Sequence, residues 1–160
     1  MLYKDSNIIN NSSLACFLLV YFVEQYESCS VNDDHPDLMK LLLVLPIVWH
    51  KVSRESIKKK KKTTPLIAVL QESPLIKSNL AQRVSEYAGA SIQGLNLAVS
   101  SGLLMRLIEH GETRFETNFS KWPGRINKLL PKEMVQTITR LANWFSCVDT
   151  PSIYRLLLGN

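Results

Sequence analysis

Glycine, cysteine and histidine are all scarce in this chain, at six, three and three residues, and each shortage narrows the chemistry open to it. Gly89, Gly94 and Gly102 are spaced too widely to form a glycine-rich loop that cradles phosphate. A G-x-S-x-G nucleophile turn is missing too. The three cysteines, Cys16, Cys29 and Cys147, make an odd count without tight spacing. That argues against a disulfide framework and for reduced thiols, and so for a reducing cytoplasm. His35, His50 and His110 fall in a predicted loop, a helix end and a turn, none at metal-ligand spacing from a cysteine or carboxylate. The expectation is a protein with no catalytic residue, no metal site and no cofactor.

Long hydrophobic runs are missing as well. Residues 14–23 form an apolar run of ten, and residues 41–49 a run of nine interrupted by Pro46. Both fall short of the ~20 residues that cross a bilayer. The first run has the length of a signal-peptide core. However, Lys4 is offset by Asp5, Glu24 follows directly, and no small-x-small cleavage site comes after. Both runs are read as buried helices without a membrane partner. A secreted or membrane-surface protein is the alternative.

What the chain does have is apolar bulk and one concentration of charge. A hydrophobic fraction of 46% beside 21% charged residues belongs to a packed globular protein. At 160 residues it is long enough for one domain with a real core, and a single compact domain over 1–160 is expected. The net charge of +5 is not spread evenly. Residues 51–62 hold seven bases, Lys51, Arg54, Lys58, Lys59, Lys60, Lys61 and Lys62, against the single acid Glu55. That stretch carries +6, and the rest of the chain carries −1. Such a patch suits docking on phosphate, as non-specific contact with DNA, or it is a solvated loop. The seven bases are the candidate nucleic-acid-binding residues. Few acids lie near them, which disfavours a two-metal nuclease, and the loose group Glu24, Glu27, Asp33 and Asp34 suits a solvated helix end.

The pattern along the chain predicts a mostly α fold. Asn11-Ser12-Ser13 offers caps to a helix over 14–26 that is apolar around most of its circumference. Pro36-Asp37 opens a second apolar helix reaching about Trp49, kinked or ended early by Pro46. The two are expected to form an N-terminal apolar hairpin within residues 1–57. It is greasier than a small monomer needs, so one face is expected to meet another subunit. A lysine-rich linker, 58–64, follows. Residues 65–120 then predict short helices at 66–71, from Ser73-Pro74 to a break at Ala88-Gly89, and at 91–101. A strand at 103–108, a turn at 109–112 and a return strand through Phe115, Thr117 and Phe119 complete the unit.

Three short helices and a β-hairpin make a winged-helix-like centre. Its third helix would present Gln93, Gly94, Asn96 and Ser100, with Ile92, Leu95 and Val99 turned inward. It carries no Arg or Lys, so it suits protein contact better than base readout. Residues 121–160 add C-terminal helices. The first is amphipathic, with Met134, Ile138, Leu141, Phe145 and Val148 on one stripe, and 152–158 forms the last. Before them, Trp122 in the turn-rich stretch from Ser120 to Arg125 is expected to plug the core or a partner.

Leu43-Val44-Leu45-Pro46-Ile47-Val48-Trp49-His50-Lys51, followed by Arg54-Glu55-Ser56, resembles the LPLVLH…TRE signature of middle components of bacterial three-component ABC ATPase systems. The Gly102-Leu103-Leu104 junction and the C-terminal Ala142-Asn143-Trp144-Phe145 and Ile153-Tyr154-Arg155-Leu156-Leu157-Leu158-Gly159 stretches are similar to that family too. The resemblance covers most of the chain. It implies a non-catalytic adaptor between an SMC- or Rad50-like ABC ATPase and a nuclease-type effector, as in Lamassu-type anti-phage or anti-plasmid defence. The run from Lys58 to Lys62 departs from the shorter, less charged link expected there. The alternative reading is a stand-alone winged-helix transcription regulator.

Overall fold

The computed structural model describes residues 11–159. In chain order the helices are α1 (Ser12–Cys29), α2 (Leu38–Leu41), α3 (Val44–Val48), α4 (Lys51–Ile57), α5 (Leu66–Glu72) and α6 (Leu80–Ser100). A 3-10 turn, Pro74–Lys77, precedes α6. Strands β1 (Leu104–Glu109) and β2 (Glu112–Thr117) follow, then α7 (Ile126–Leu129), α8 (Lys132–Ser146) and α9 (Thr150–Leu158). The fold is mostly helical, with one two-stranded antiparallel sheet.

The first apolar run sits at the centre. Asn11 starts α1 as expected, its side-chain oxygen accepting the Leu14 N–H at 2.9 Å. Leu18, Leu19, Val20, Phe22 and Val23 have no exposed surface although they point in different directions around the helix. The main neighbours that cover them are α6 and α8. The Phe22 and Phe145 rings, for example, meet edge-on at 5.9 Å. This corrects the expected pairing of 14–26 with 36–49, and it accounts for the surplus apolar character. The chain's own later helices enclose α1, and no second subunit is needed to cover it.

The second apolar run is two short helices rather than one. Proline lacks an N–H and its ring collides with the carbonyl four residues back. The conflict of Pro46 is therefore with Leu42, and the helix is interrupted at Leu42-Leu43, before the proline rather than after it. Pro46 itself sits in the first turn of α3, where the missing donor costs nothing. Asp37 caps α2, accepting the Lys40 N–H at 2.8 Å.

The central unit differs from three short helices. Residues 74–77 are a 3-10 turn, and Asn79, in the left-handed region at φ 53°, leads into an α6 that runs unbroken through Ala88-Gly89. Glycine inside a helix costs only about 1 kcal/mol, and packing of Leu80, Leu95 and Ala98 against the core outweighs it. The orientation is corrected as well. Gly94 is buried, and a Cβ placed on it would meet Ala15 and the Cys16 nitrogen at 3.0 Å. Ile92, expected inside, is 39% exposed. The end of α6 follows the expected glycine stop: Gly102 adopts φ 79°, its N–H reaches the Val99 carbonyl, and Leu103 N–H reaches Ala98. The hairpin then pairs Leu104 with Thr117 through Glu109 with Glu112. Its two-residue turn, His110-Gly111, has positive φ at both positions, as this tight turn demands.

A buried corner joins α3, α4 and α6. Arg83 is 8% exposed and donates to the carbonyls of Pro46 (2.5 Å), Ile76 (2.7 Å) and Ser78 (2.9 Å). Arg54 donates to the Val48 carbonyl at 2.9 Å. Two guanidinium groups thus meet carbonyls of α3, whose C-terminal dipole favours positive charge. His50 lies beside them, its Nδ1 2.7 Å from Ser53 Oγ.

Gly94→Val should destabilise the fold by about 1–3 kcal/mol through forced separation of α1 and α6, whereas Gly89→Ala, with open space around it, should be neutral or stabilising. Urea denaturation of both variants reads the opposite signs. Burial, followed by the Arg83 and Arg54 charges, holds the His50 imidazole below its ordinary 6.5. The unfolded chain then binds more protons between the two values, so this stability is complete above pH 6.5 and declines on acidification below it. Melting temperatures followed downwards from neutral pH should fall less for His50→Gln than for the native chain.

Candidate nucleic-acid interface

The lysine-rich segment is fastened to α8 along its backbone. Arg140 Nε donates to the Lys60 carbonyl at 2.5 Å, Asn143 Nδ2 to Lys62 at 2.9 Å, and Trp144 Nε1 to Thr64 at 2.8 Å. The acceptors fall on every second residue of the loop, and the donors fall three and four residues apart on one helix face. Within the loop, Lys60 N–H bonds Ile57 and Thr64 N–H bonds Lys61. The lysines therefore extend from a backbone with fixed geometry.

The seven predicted bases divide into two sets. Arg54 is held inward by Val48 and lies 3.7 Å from the Glu133 carboxylate. Lys58 donates to Glu133 at 2.6 Å, and that bond is the largest cause holding Glu133 below its ordinary value. Lys60 pairs with Glu72. Lys51, Lys59, Lys61 and Lys62 are exposed and have no ion-pair partner among the described residues. Glu55, Glu72 and Glu133 against the seven bases leave a local surplus of four positive charges. Ammonium groups on flexible stems attract phosphate without the bidentate geometry that reads a base. Sequence reasoning missed the clamp residues Arg140, Asn143 and Trp144. Arg140 and Asn143 stand off the apolar stripe of that helix, while Trp144 is 4% exposed and packed in the core; the carbonyls that the three serve have no local signal in the sequence.

Of the four acids near the end of α1, Glu24, Glu27 and Asp34 are engaged rather than solvated, and Asp33 is exposed. Glu27 accepts from Thr117 Oγ1 at 2.5 Å and lies 2.9 Å from His35 Nδ1. Asp34 accepts from Arg114 at 2.9 Å and from the Tyr26 hydroxyl at 3.2 Å. The Phe115 N–H reaches the Pro36 carbonyl at 3.1 Å, completing a seam that holds β2 against residues 34–37. Lys40, 5% exposed, donates to Tyr26 Oη at 2.7 Å, and burial pushes its ammonium below its ordinary value. Glu24 accepts the Trp122 indole N–H at 3.0 and 3.1 Å, so Trp122 plugs its own core. Burial pushes the Cys16 thiol up to about 11. Among the described residues no group of three or more His, Cys, Asp or Glu is placed to hold a metal ion. No described helix is long and apolar enough to cross a membrane.

The family model for the ABC-three component (ABC-3C) system Middle Component 3 matches residues 4–158. The chain belongs to this family. Neither curated proteins nor solved structures match it. A Middle Component 3 protein is one part of a multi-component ABC system, which implies partnering with the other components. The stretch that resembles the family signature, Leu43 to Lys51 with Arg54-Glu55-Ser56, contains the guanidinium-capped corner of this Middle Component 3 fold.

The clamp predicts a protease result. Arg140→Ala removes one tether and leaves the Lys60 carbonyl short of a partner, a loss of about 1–3 kcal/mol. Trypsin should then cut within residues 58–62 about tenfold faster than in the native chain, since cleavage follows local opening. An unchanged cleavage rate would show that the loop is held by something else.

Proposed function

We propose that this Middle Component 3 protein is a non-catalytic adaptor of Lamassu-type anti-phage or anti-plasmid defence. In this reading it bridges an SMC- or Rad50-like ABC ATPase and a nuclease-type effector in the cytoplasm. The family match over residues 4–158 carries the adaptor reading. The lysine loop adds a contact with DNA that ignores sequence. Lys51, Lys59, Lys61 and Lys62 face phosphate, and Lys58 and Lys60 exchange Glu133 and Glu72 for it when a duplex approaches. Arg54 supports the loop from behind. Neutralising clustered phosphates releases counterions, so this affinity falls steeply with salt. Such contact suits a complex that surveys DNA without selecting a site.

A stand-alone winged-helix regulator is the weaker reading. The turn it needs at Ala88-Gly89 lies within one continuous helix. The only base in that helix, Arg83, is buried on three carbonyls. With α1 enclosed by its own chain, the partner surface is also moved. The exposed apolar side chains Val52, Ile67 and Leu75 lie on α4, α5 and the 3-10 turn, next to the lysine loop in sequence, and they supply it in this reading.

Co-expression with the ATPase of its system should give a complex that survives gel filtration. Changing Lys58 to Lys62 to Gln should leave that complex intact. It should also lower the slope of log affinity against log salt by about 0.9 for each phosphate that is no longer neutralised. Failure to associate with the ATPase would sink the adaptor role. An unaltered salt slope would sink the DNA contact.

A further inference from the structure

A second cluster of bases lies on the stretch that joins the hairpin to α8. Lys121, Arg125 and Lys128 rim one concave site, together with Ser120, Gly124 and Asn127. The site measures about 490 Å³, within the range of roughly 300–1,000 Å³ typical of ligand clefts. All three bases are exposed, and none has an ion-pair partner among the described residues. No acid lines the site. Glu24 reaches the region only through Trp122, whose indole N–H occupies both carboxylate oxygens.

The wall beneath the bases is anchored in the core. Trp122 also lines the site; it is 9% exposed and packs edge-on against Phe119 at 5.2 Å between ring centres. Gly124 turns the chain at φ 59°, a conformation that other residues rarely adopt. Three unneutralised cations, a hydroxyl and an amide around one anchored hollow match the chemistry of a phosphate group.

We propose that Lys121, Arg125 and Lys128 form a phosphate-binding site separate from the lysine loop. Its place in the chain connects the two. Lys128 precedes Glu133, the partner of Lys58, by five residues, so their Cα atoms are at most about 18 Å apart. A duplex advances about 3.4 Å per phosphate along each strand. The Lys58–Glu133 pair at the edge of the loop thus lies within the length of a few nucleotides of Lys128. That the phosphate belongs to DNA rests on the function proposed above; the site itself does not.

The test uses the full chain, a K121Q/R125Q/K128Q variant, a K59Q/K61Q/K62Q variant and a charge-keeping K121R/K128R control. Binding to a short duplex is followed by fluorescence anisotropy over a salt series. Inorganic phosphate is titrated separately while the Trp122 indole N–H is observed by NMR. The site variant should lose about tenfold in duplex affinity and about 2.7 in salt slope, the sum for three neutralised phosphates, with the control unaffected. Inorganic phosphate should shift the Trp122 resonance in the native chain and not in the site variant. A phosphate response without a duplex effect assigns the site to free phosphate groups, and a duplex effect assigns it to the nucleic-acid backbone. The site is overturned when the site variant matches the native chain in both measurements, even if the loop variant loses duplex affinity. A weaker duplex affinity in the site variant alone leaves this site standing and removes the loop from the interface.

Discussion

The close crossing of α1 and α6 at Gly94 is the constraint on which the rest of the fold depends. With no side chain there, the α6 backbone approaches Ala15 and Cys16, and Leu95 and Ala98 close over the flank of α1. The opposite flank is covered by Ile138, Leu141 and Phe145 of α8. An apolar helix of eighteen residues would be a liability alone in water. Sandwiched this way it becomes the axis around which the short helices, the hairpin and the lysine loop are arranged.

Much of this was readable where a residue has a local effect. Asn11 starts α1, Gly102 ends α6, and the stripe of Met134, Ile138, Leu141 and Phe145 is the buried side of α8, because caps, left-handed turns and helical periodicity act within a few residues. The errors came where distant packing decided. Gly89 looked like a break because its cost is local, while the compensation comes from the whole length of α6. Gly94 looked exposed because nothing in its neighbourhood tells that α1 lies against it. The pairing of α1 with α6 and α8 joins segments far apart in the chain, and hydrophobic runs of similar composition do not encode which of them meet.

The candidate interface was legible as charge and illegible as geometry. Seven bases in a short stretch announce a cationic surface. They do not show that Arg54 turns inward to Val48, or that Lys58 and Lys60 are engaged by Glu133 and Glu72. Those acids lie outside the run and come to it through α8 and α5. The acids at the end of α1 were misjudged for the same reason: Arg114 and Thr117, their partners, lie some 80 to 90 positions later. Resemblance to the middle components of three-component ABC systems, in contrast, is legible in the motif around Pro46 together with the Gly102 junction and the C-terminal stretches, and the match to Middle Component 3 over residues 4–158 bears out that broader family.

The three α8 donors on the Lys60, Lys62 and Thr64 carbonyls change the thermodynamics of whatever the loop meets. A free lysine tail must surrender backbone freedom on binding, at roughly 1–2 kcal/mol for each residue ordered. Here folding has already removed that freedom. A polyanion docking on this loop would have only the side-chain stems left to immobilise, so that its binding would be governed by ion exchange rather than by ordering of the chain.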